Sequence, residues 1–302
     1  MKTTQNFDVI IIGGSYAGLS AAMSLGRSLR NVLIIDSGLP CNRQTPHSHN
    51  FITQDGVAPQ RIAALAKEQV LAYPTIQFLN GLAIKAEKTA TGFTLTTEAG
   101  GTFTARKLVL ATGIKDIMPD IKGFSECWGI TVVHCPYCHG YEVRQQKTAI
   151  MANGDRAFHL ATMVRNLTDD LTILTNGKPD FSSEQSHKLD AHNITLIDKE
   201  ISEITHHNGQ IQTLVFRDGS RQDFQAMYAA LPFVQHSDIA ETLGCGLTEV
   251  GYLKVDDFHQ TTIEGVYACG DNTAMMRSVA NAVSGGNLTG AMINKILIDE
   301  QF

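Results

Sequence analysis

The first 36 residues restrict the fold more than any other stretch. Residues 7–12 are a short apolar run broken only by Asp8, the pattern of a parallel strand buried on both faces. Gly13-Gly14-Ser15-Tyr16-Ala17-Gly18 follows at once. Residues 19–29 read as a helix, and residues 31–35 as a second apolar strand that ends at Asp36. Strand, glycine-rich turn, helix, strand and an acid about 20 residues on make a βαβ dinucleotide-binding unit. In such a unit the pyrophosphate sits on the helix N-terminus and the acid takes a ribose hydroxyl. Ser15 stands where a second glycine usually lets the backbone approach the phosphate. The competing reading is a tight strand–helix turn in an unrelated α/β protein, and the two strands with Asp36 argue against it. The uncharged run over residues 9–26 is interrupted by glycines and serines, which suits strand–turn–helix better than a membrane span.

The chain repeats this architecture at long range. Residues 147–151 read as a strand, Ala152-Asn153-Gly154-Asp155-Arg156-Ala157 as a turn, residues 158–167 as a helix and residues 171–174 as the next strand. The fingerprint is eroded: Ala152 replaces the first glycine, Gly154 keeps the second and Ala157 serves as the third. The second strand runs into Thr175-Asn176-Gly177-Lys178, with neither an acid for a ribose nor an arginine pair for a 2′-phosphate. The unit is expected to keep the fold, and binding of a nicotinamide nucleotide stays open. Between the two units, residues 58–73 read as a helix and residues 75–78 as a strand. Residues 83–107 alternate like a β-meander around Gly92 and Gly100-Gly101, and residues 107–111 form a buried strand ended by Thr112-Gly113. Residues 194–234 read as strands and turns. Residues 265–271 are a buried strand ending in Gly270-Asp271, and residues 280–297 a long apolar helix. A chain of 302 residues suits two domains.

Just before the second unit lies Cys135-Pro136-Tyr137-Cys138-His139-Gly140. Cysteines at i and i+3 can close a small disulfide ring, and a helix starting there would favour a thiolate on one sulfur. The competing readings are structural cysteines or half of a zinc site. His134, Cys135, Cys138 and His139 offer four ligands in six residues, but structural zinc usually draws on two separated pairs, because adjacent side chains diverge. Cys127, Cys245 and Cys269 read as core thiols, and Cys41 as an isolated cysteine beside a polar loop. That loop, residues 39–56, carries Arg43, His47, His49 and Asn50, and is either a solvated connection or a wall of the site. Trp128 and Tyr137 read as packing residues, and the adjacent His206 and His207 as facing opposite sides of a strand.

Hydrophobic residues make up 43% of the chain and charged residues 18%, with a net charge of −6 and no basic run. This suits ordinary buried cores and argues against nucleic-acid or membrane partners. Six cysteines with one close-spaced pair fit a cytoplasmic protein with one working dithiol rather than a disulfide framework. Lys2 is the one cation before the first strand, so no targeting signal is expected.

The order of these motifs resembles the low-molecular-weight thioredoxin reductase family of flavoproteins, over nearly the whole chain. The resemblance implies an α/β fold of two Rossmann-like (three-layer ββα) nucleotide-binding domains, the second inserted into the first. Residues 1–117 plus 238–302 would bind FAD, and residues 118–237 would form an NAD(P)H-binding-like domain carrying the Cys-x-x-Cys pair. Gly13, Ser15, Gly18 and Asp36 match the positions that hold the ADP half. Arg43 and Asn50 lie where the family approaches the flavin, Thr112-Gly113 matches its central motif, and Gly270-Asp271 its ribityl-binding segment. Arg277-Ser278-Val279 falls where the family has Arg-Gln-Ala or a close variant. Cys138 would exchange electrons with the flavin and Cys135 with substrate. The resemblance also implies a homodimer.

Where the family usually has an aspartate after the second cysteine, this chain has His139, which can move a proton near neutral pH. His134, His47 and His49 are further proton-carrying candidates. With the eroded nicotinamide fingerprint, this makes the chain similar to a branch of FAD-dependent dithiol oxidases that close disulfides in gliotoxin-, holomycin- and romidepsin-type products. The function expected is therefore FAD-dependent disulfide/dithiol oxidoreduction through Cys135 and Cys138, with a thioredoxin-like protein or a small dithiol or disulfide as partner. The alternatives are an NADPH-dependent thioredoxin-disulfide reductase and a non-catalytic redox-sensing flavoprotein.

Overall fold

The computed structural model describes residues 5–302. They divide into two compact units. The first holds the chain up to Arg43, Val57–Lys115 and Phe233–Phe302, and the second holds Gln44–Gly56 and Asp116–Pro232. The loop Gln44–Gly56 thus groups with the second unit, although its neighbours in sequence belong to the first.

The first unit opens with β1 (Gln5–Ile12), α1 (Tyr16–Arg27) and β2 (Val32–Asp36), then α2 (Pro59–Leu71) and β3 (Ile76–Asn80). β1 lies between β2 and β6 (Thr102–Leu110), parallel to both. Val9, Ile10 and Ile11 are fully buried, because both faces of this strand are covered. β4 (Ala83–Thr89), β5 (Gly92–Thr97) and β6 form the antiparallel meander that the alternating residues 83–107 predict. A short β7 (Ile114–Asp116) ends this half.

In the second unit come α3 (Phe124–Cys127), β8 (Val132–Val133), α4 (Pro136–His139), β9 (Thr148–Met151), α5 (Gly154–Val164), β10 (Leu171–Leu174), α6 (Ser183–Ala191) and β11 (Thr195–Ile197). They are followed by β12 (Ile201–His207), β13 (Gln210–Phe216), β14 (Arg221–Asp223) and β15 (Ala226–Ala229). A parallel sheet runs in the order β11-β10-β9-β15-β8, and β12-β13-β14 form a separate antiparallel sheet. Period-2 alternation sorts the parallel sheet's side chains onto two cores. Val132, Ala149 and Met227 join Phe124, Trp128 and Phe216 on one face, while Val133, Ile150 and Tyr228 join Leu160 and Val164 of α5 on the other.

The chain returns to the first unit with β16 (Phe233–Gln235), which pairs with β7, then α7 (Ile239–Thr242), β17 (Val266–Ala268) and α8 (Val279–Asp299). β17 adds to the C-terminal half of β6 in parallel. α8 lies against α1 through small residues. A methyl group on Gly286 would stand 2.1 Å from the Ala17 carbonyl oxygen, and one on Gly290 2.5 Å from that of Ala21. Ser20 Oγ donates to the Val283 carbonyl at 2.7 Å across this contact.

Two elements differ from the sequence expectation. α5 begins at Gly154, four residues before the expected start, because Asn153 caps it: its Oδ1 accepts from the Gly154 N–H at 2.9 Å. α6 lies within a stretch where no helix was expected. It is set by a capping box in which Ser182 Oγ accepts from the Gln185 N–H and the Gln185 side chain accepts from the Ser182 N–H. Among the described residues no helix is long and apolar enough to cross a membrane.

Candidate active site

In the first unit the site is built at the C-terminal ends of β1, β2, β6 and β17. Gly13 has φ +107°, and a methyl there would stand 2.2 Å from the Ala111 carbonyl oxygen. A methyl on Gly18 would stand 1.9 Å from the Gly13 carbonyl. Both positions therefore demand glycine, so that α1 can start directly on the strand end. Ser15 is the N-cap of α1 in extended conformation, and its hydroxyl caps no backbone amide. The first-turn amides of this 12-residue helix are thus not taken by the cap side chain, as an anion-binding terminus requires. At the tip of β2, Asp36 Oδ1 accepts from the Gly14 N–H at 2.9 Å and Oδ2 from the Gly38 N–H at 3.1 Å. These bonds fix the carboxylate and leave lone pairs for a hydroxyl donor.

Thr112-Gly113 ends β6 in a turn with Gly113 at φ +66°. Gly270, at φ +93°, follows β17 and brings Asp271 beside Arg277, with Nε to Oδ2 at 3.8 Å. Both side chains are largely buried, and the Cys41 thiol donates to the same Asp271 oxygen at 3.6 Å. Ser278 is the N-cap of α8, its Oγ accepting from the Asn281 N–H at 3.1 Å, and Val279 is that helix's first residue. Arg43 donates to the Pro40 carbonyl at 3.1 Å and stays exposed. Asn272 was missed by sequence reasoning. It is fully buried after Asp271, its Nδ2 donates to the Leu110 carbonyl at 2.8 Å, and its Oδ1 has no protein partner. An orphaned buried acceptor beside a glycine cradle, a pinned carboxylate and an open helix terminus fit the ribose-phosphate part of a dinucleotide.

In the second unit, β8 runs directly into His134 and Cys135. Cys135 is the N-cap of α4 and Cys138 its third residue, with the Cys138 N–H donating to the Cys135 carbonyl at 3.2 Å. The helix is one turn long and Pro136 supplies no N–H, so the dipole expected to favour a thiolate is small. Polar side chains gather at His139, the next residue, instead. Burial lowers the pKa of His139; Glu142 opposes this and His49 adds to it. His49 Nδ1 lies 3.5 Å from Glu142 Oε1 and 3.6 Å from Asp55 Oδ1. His47 Nδ1 is 3.0 Å from the Gly56 carbonyl oxygen, with its ring 6.4 Å from that of His49. Asn50 sits in the same loop at φ +58°, its N–H donating to Asp55 Oδ1 at 2.8 Å. The loop Gln44–Gly56 thus brings His49 to Glu142 and the His139 turn. Glu142 was not legible beforehand as a member of this group.

Trp128 is buried and stacks on Phe124, with centroids 5.9 Å apart. Tyr137 is 68% exposed, so the packing role expected for it does not hold: α4 turns that side chain to solvent. Cys127, Cys245 and Cys269 are buried core thiols, as expected. Burial pushes Cys127 up to about 11 and Cys269 to about 12, and raises Cys245 as well, which leaves all three unreactive near neutrality. Among the described residues no three His, Cys, Asp or Glu side chains are grouped to hold a metal ion.

The second βαβ unit is closed where a nicotinamide nucleotide would lie. Besides capping Gly154, Asn153 Oδ1 accepts from the Asp180 N–H at 2.9 Å, and Asn153 Nδ2 donates to the Lys178 carbonyl at 2.8 Å. Residues 178–180 are thereby laced to the N-terminus of α5. Asp155 in the first turn accepts from Gln185 Nε2 at 2.7 Å. At the tip of β10, Thr175 Oγ1 donates to the Gly177 carbonyl and Asn176 Oδ1 accepts from the Ile201 N–H. A pyrophosphate would meet an occupied helix terminus and the carboxylates of Asp155 and Asp180. The residues present do not fit that group.

Two Rossmann-type units, one with an open dinucleotide cradle and one carrying a Cys-x-x-Cys turn, define a flavoprotein oxidoreductase. The pyridine nucleotide-disulphide oxidoreductase family matches residues 7–286, and the chain belongs to it. It is accordingly an FAD-dependent oxidoreductase acting on disulfides and dithiols. It is 36% identical to "Thioredoxin reductase tcpT" of Claviceps purpurea (strain 20.1), over 99% of this chain and 96% of that one. Among solved structures it is similar to an oxidoreductase from Agrobacterium tumefaciens, with 38% identity, a TM-score of 0.91 and coverage of 98% and 99% of the two chains. It is also similar to HlmI, with 27% identity, a TM-score of 0.92 and coverage of 98% and 94%.

Proposed function

We propose that this protein is a dithiol oxidase: it closes a disulfide in a small dithiol substrate through Cys135 and Cys138, and the electrons leave through FAD to O2. The observation that carries this reading is the closed N-terminus of α5. The chain keeps a cysteine pair and a dinucleotide cradle in its first unit, while Asn153 and residues 178–180 fill the place of a nicotinamide pyrophosphate.

A substrate thiolate attacks the Cys135 sulfur of the oxidised pair. The Cys135–Cys138 bond breaks, its electron pair leaves on Cys138, and a mixed disulfide forms on Cys135. The second substrate thiol gives its proton to His139 and attacks the substrate sulfur bound to Cys135. The product disulfide forms and Cys135 departs as a thiolate. Burial lowers the pKa of His139, so its imidazole is neutral at pH 7 and ready to accept that proton. Glu142 then stabilises the imidazolium, and His49, 3.5 Å from Glu142, holds the carboxylate in place. FAD supplies the two-electron acceptor that restores the disulfide. Gly13, Ser15, Gly18, Asp36, Thr112, Gly113, Gly270 and Asp271 are assigned to hold it, with Arg277, Ser278 and Val279 beyond Asp271. Arg43 and Asn50 join them on the family pattern alone. A cytoplasmic homodimer completes the proposal, from the cysteine usage and the family resemblance.

The name of tcpT favours a second reading, NADPH-dependent reduction of a thioredoxin-like protein. Anaerobic stopped-flow spectroscopy of the yellow holoenzyme separates the two. Flavin bleaching by dithiothreitol but not by NADPH or NADH, with fast recovery and peroxide on aeration, is the expected result. Rapid bleaching by NADPH would overturn the oxidase assignment and favour the reductase.

A further inference from the structure

Between α5 and α6 the second unit leaves a cavity of about 370 Å³ that the dithiol mechanism does not use. Its origin lies in the sequence. Both helices pack on one face of the parallel sheet, over the core that holds Ile150 and Ile173. α6 is polar nearly all round, and Leu189 is its one buried residue. α5 brings the small side chain of Ala161 to the same place, so neither helix fills the space between them. Ala161, Leu189 and Ile194 are buried and form the floor of the cavity. Thr162, Lys188 and His192 are exposed and form its rim, together with half-buried Arg165.

The rim carries one sign of charge. Arg165 and Lys188 line it and no carboxylate does, in a chain whose net charge is −6. Their partners Asp169 and Glu184 stand outside the cavity, 90% and 77% exposed, each in an i,i+4 pair. Exposed pairs of this kind contribute about 0–1 kcal/mol, so both cations can take a second acceptor at little cost. Lys188 donates to Glu184 at 2.6 Å with one of its three hydrogens. Arg165 Nε donates to the His192 carbonyl at 3.4 Å, which holds the guanidinium at the rim. We propose that this cavity binds a monocarboxylate with an apolar body of about ten carbons, since its volume falls near the lower end of ligand sites. The carboxylate lies between Arg165 and Lys188, and the apolar body lies on Ala161, Leu189 and Ile194. Because each cation already has a carboxylate partner, the site suits a single further negative charge rather than the charge of about −2 on a phosphate ester. The binding requires no step of the redox chemistry assigned above.

The test titrates the wild-type holoenzyme with decanoate and with 1-decanol, an uncharged probe of the same length, by isothermal titration calorimetry at low salt. The expected result is one decanoate bound per chain, about tenfold more tightly than decanol, with the preference shrinking as salt is added. Decanoate also raises the melting temperature, because it binds the folded chain alone. Arg165→Gln combined with Lys188→Gln brings decanoate down to the affinity of decanol. Thr162→Trp, a bulky side chain at an exposed rim position, blocks the cavity and removes the binding of both probes and the rise in melting temperature. The comparison of the two probes on wild-type protein holds even where a variant folds poorly. Wild-type holoenzyme that shows no saturable decanoate binding, or equal affinity for decanoate and decanol, would overturn the proposal. So would full decanoate affinity in Thr162→Trp, which would put the bound molecule elsewhere on the chain.

Discussion

Replacing Gly286 by Ala tests the packing that sets the start of the cofactor helix. Gly286 faces α1 from α8, and its new methyl would stand 2.1 Å from the Ala17 carbonyl oxygen and 3.0 Å from Ser20 Cβ. An ordinary carbon–oxygen contact is about 3.4 Å, so the two helices must separate locally by about 1.3 Å. Overpacking of this kind costs about 1–3 kcal/mol. Loss of the Ser20–Val283 hydrogen bond adds about 1 kcal/mol. The better helix propensity of alanine returns about 1 kcal/mol. The net destabilisation is about 2 kcal/mol, which lowers the melting temperature by about 4–8 °C for a unit of this size. Ala17 lies in the first turn of α1, so the displacement also moves the amides proposed to receive the pyrophosphate, and flavin is released before the secondary structure melts. Flavin fluorescence and far-ultraviolet circular dichroism, recorded on one sample, read both events. Ser284→Ala, on the exposed side of the same helix, is the control and melts with wild type. If Gly286→Ala melted within about 1 °C of wild type with its flavin retained, the close-contact reasoning would fail.

Glu142→Gln removes the charge that holds the His139 pKa up, so the acid limb of the pH–rate profile moves to lower pH. Because the folded-state pKa of His139 already lies below 6.5, the unfolded chain binds this proton first as pH falls. This group therefore lowers stability below about pH 6.5 and not above it, and in Glu142→Gln the acid loss deepens; chemical denaturation at pH 5 and pH 8 checks both signs. Asn153→Ala removes the cap of α5 and costs about 1 kcal/mol of stability. It does not make the flavin reducible by NADPH, because the carboxylates of Asp155 and Asp180 remain at the start of α5, and the anaerobic bleaching assay reads this directly.

Much of the fold was legible because its signals are steric and local. Gly13 and Gly18 are required by carbonyl oxygens about 2 Å from any Cβ, and such positions admit one residue type. The apolar runs of β1, β2 and β6 report burial on both faces. α6 escaped notice because its one buried residue is Leu189, so no apolar stripe marks it, although Ser182 and Gln185 spell the capping box. Gly154 reads as a turn residue and does have φ +57°, yet it is the first residue of α5, since Asn153 takes over the cap. Glu142 and Asn272 were illegible for a different reason. Each acquires meaning only when a strand or loop distant in sequence is brought beside it, and nothing in its immediate neighbours announces that.

The grouping of Gln44–Gly56 with the second unit bears on how this architecture can be recombined. A graft of residues 116–232 onto another host would carry both cysteines and Glu142, but would leave His49 and Asp55 behind. Those residues come from a stretch strung between β2 and α2. The redox turn is therefore not a portable cassette. A shuffled descendant must inherit two non-contiguous genetic segments together, and drift in the short one would retune the histidine cluster while every residue near the cysteines in sequence stayed the same.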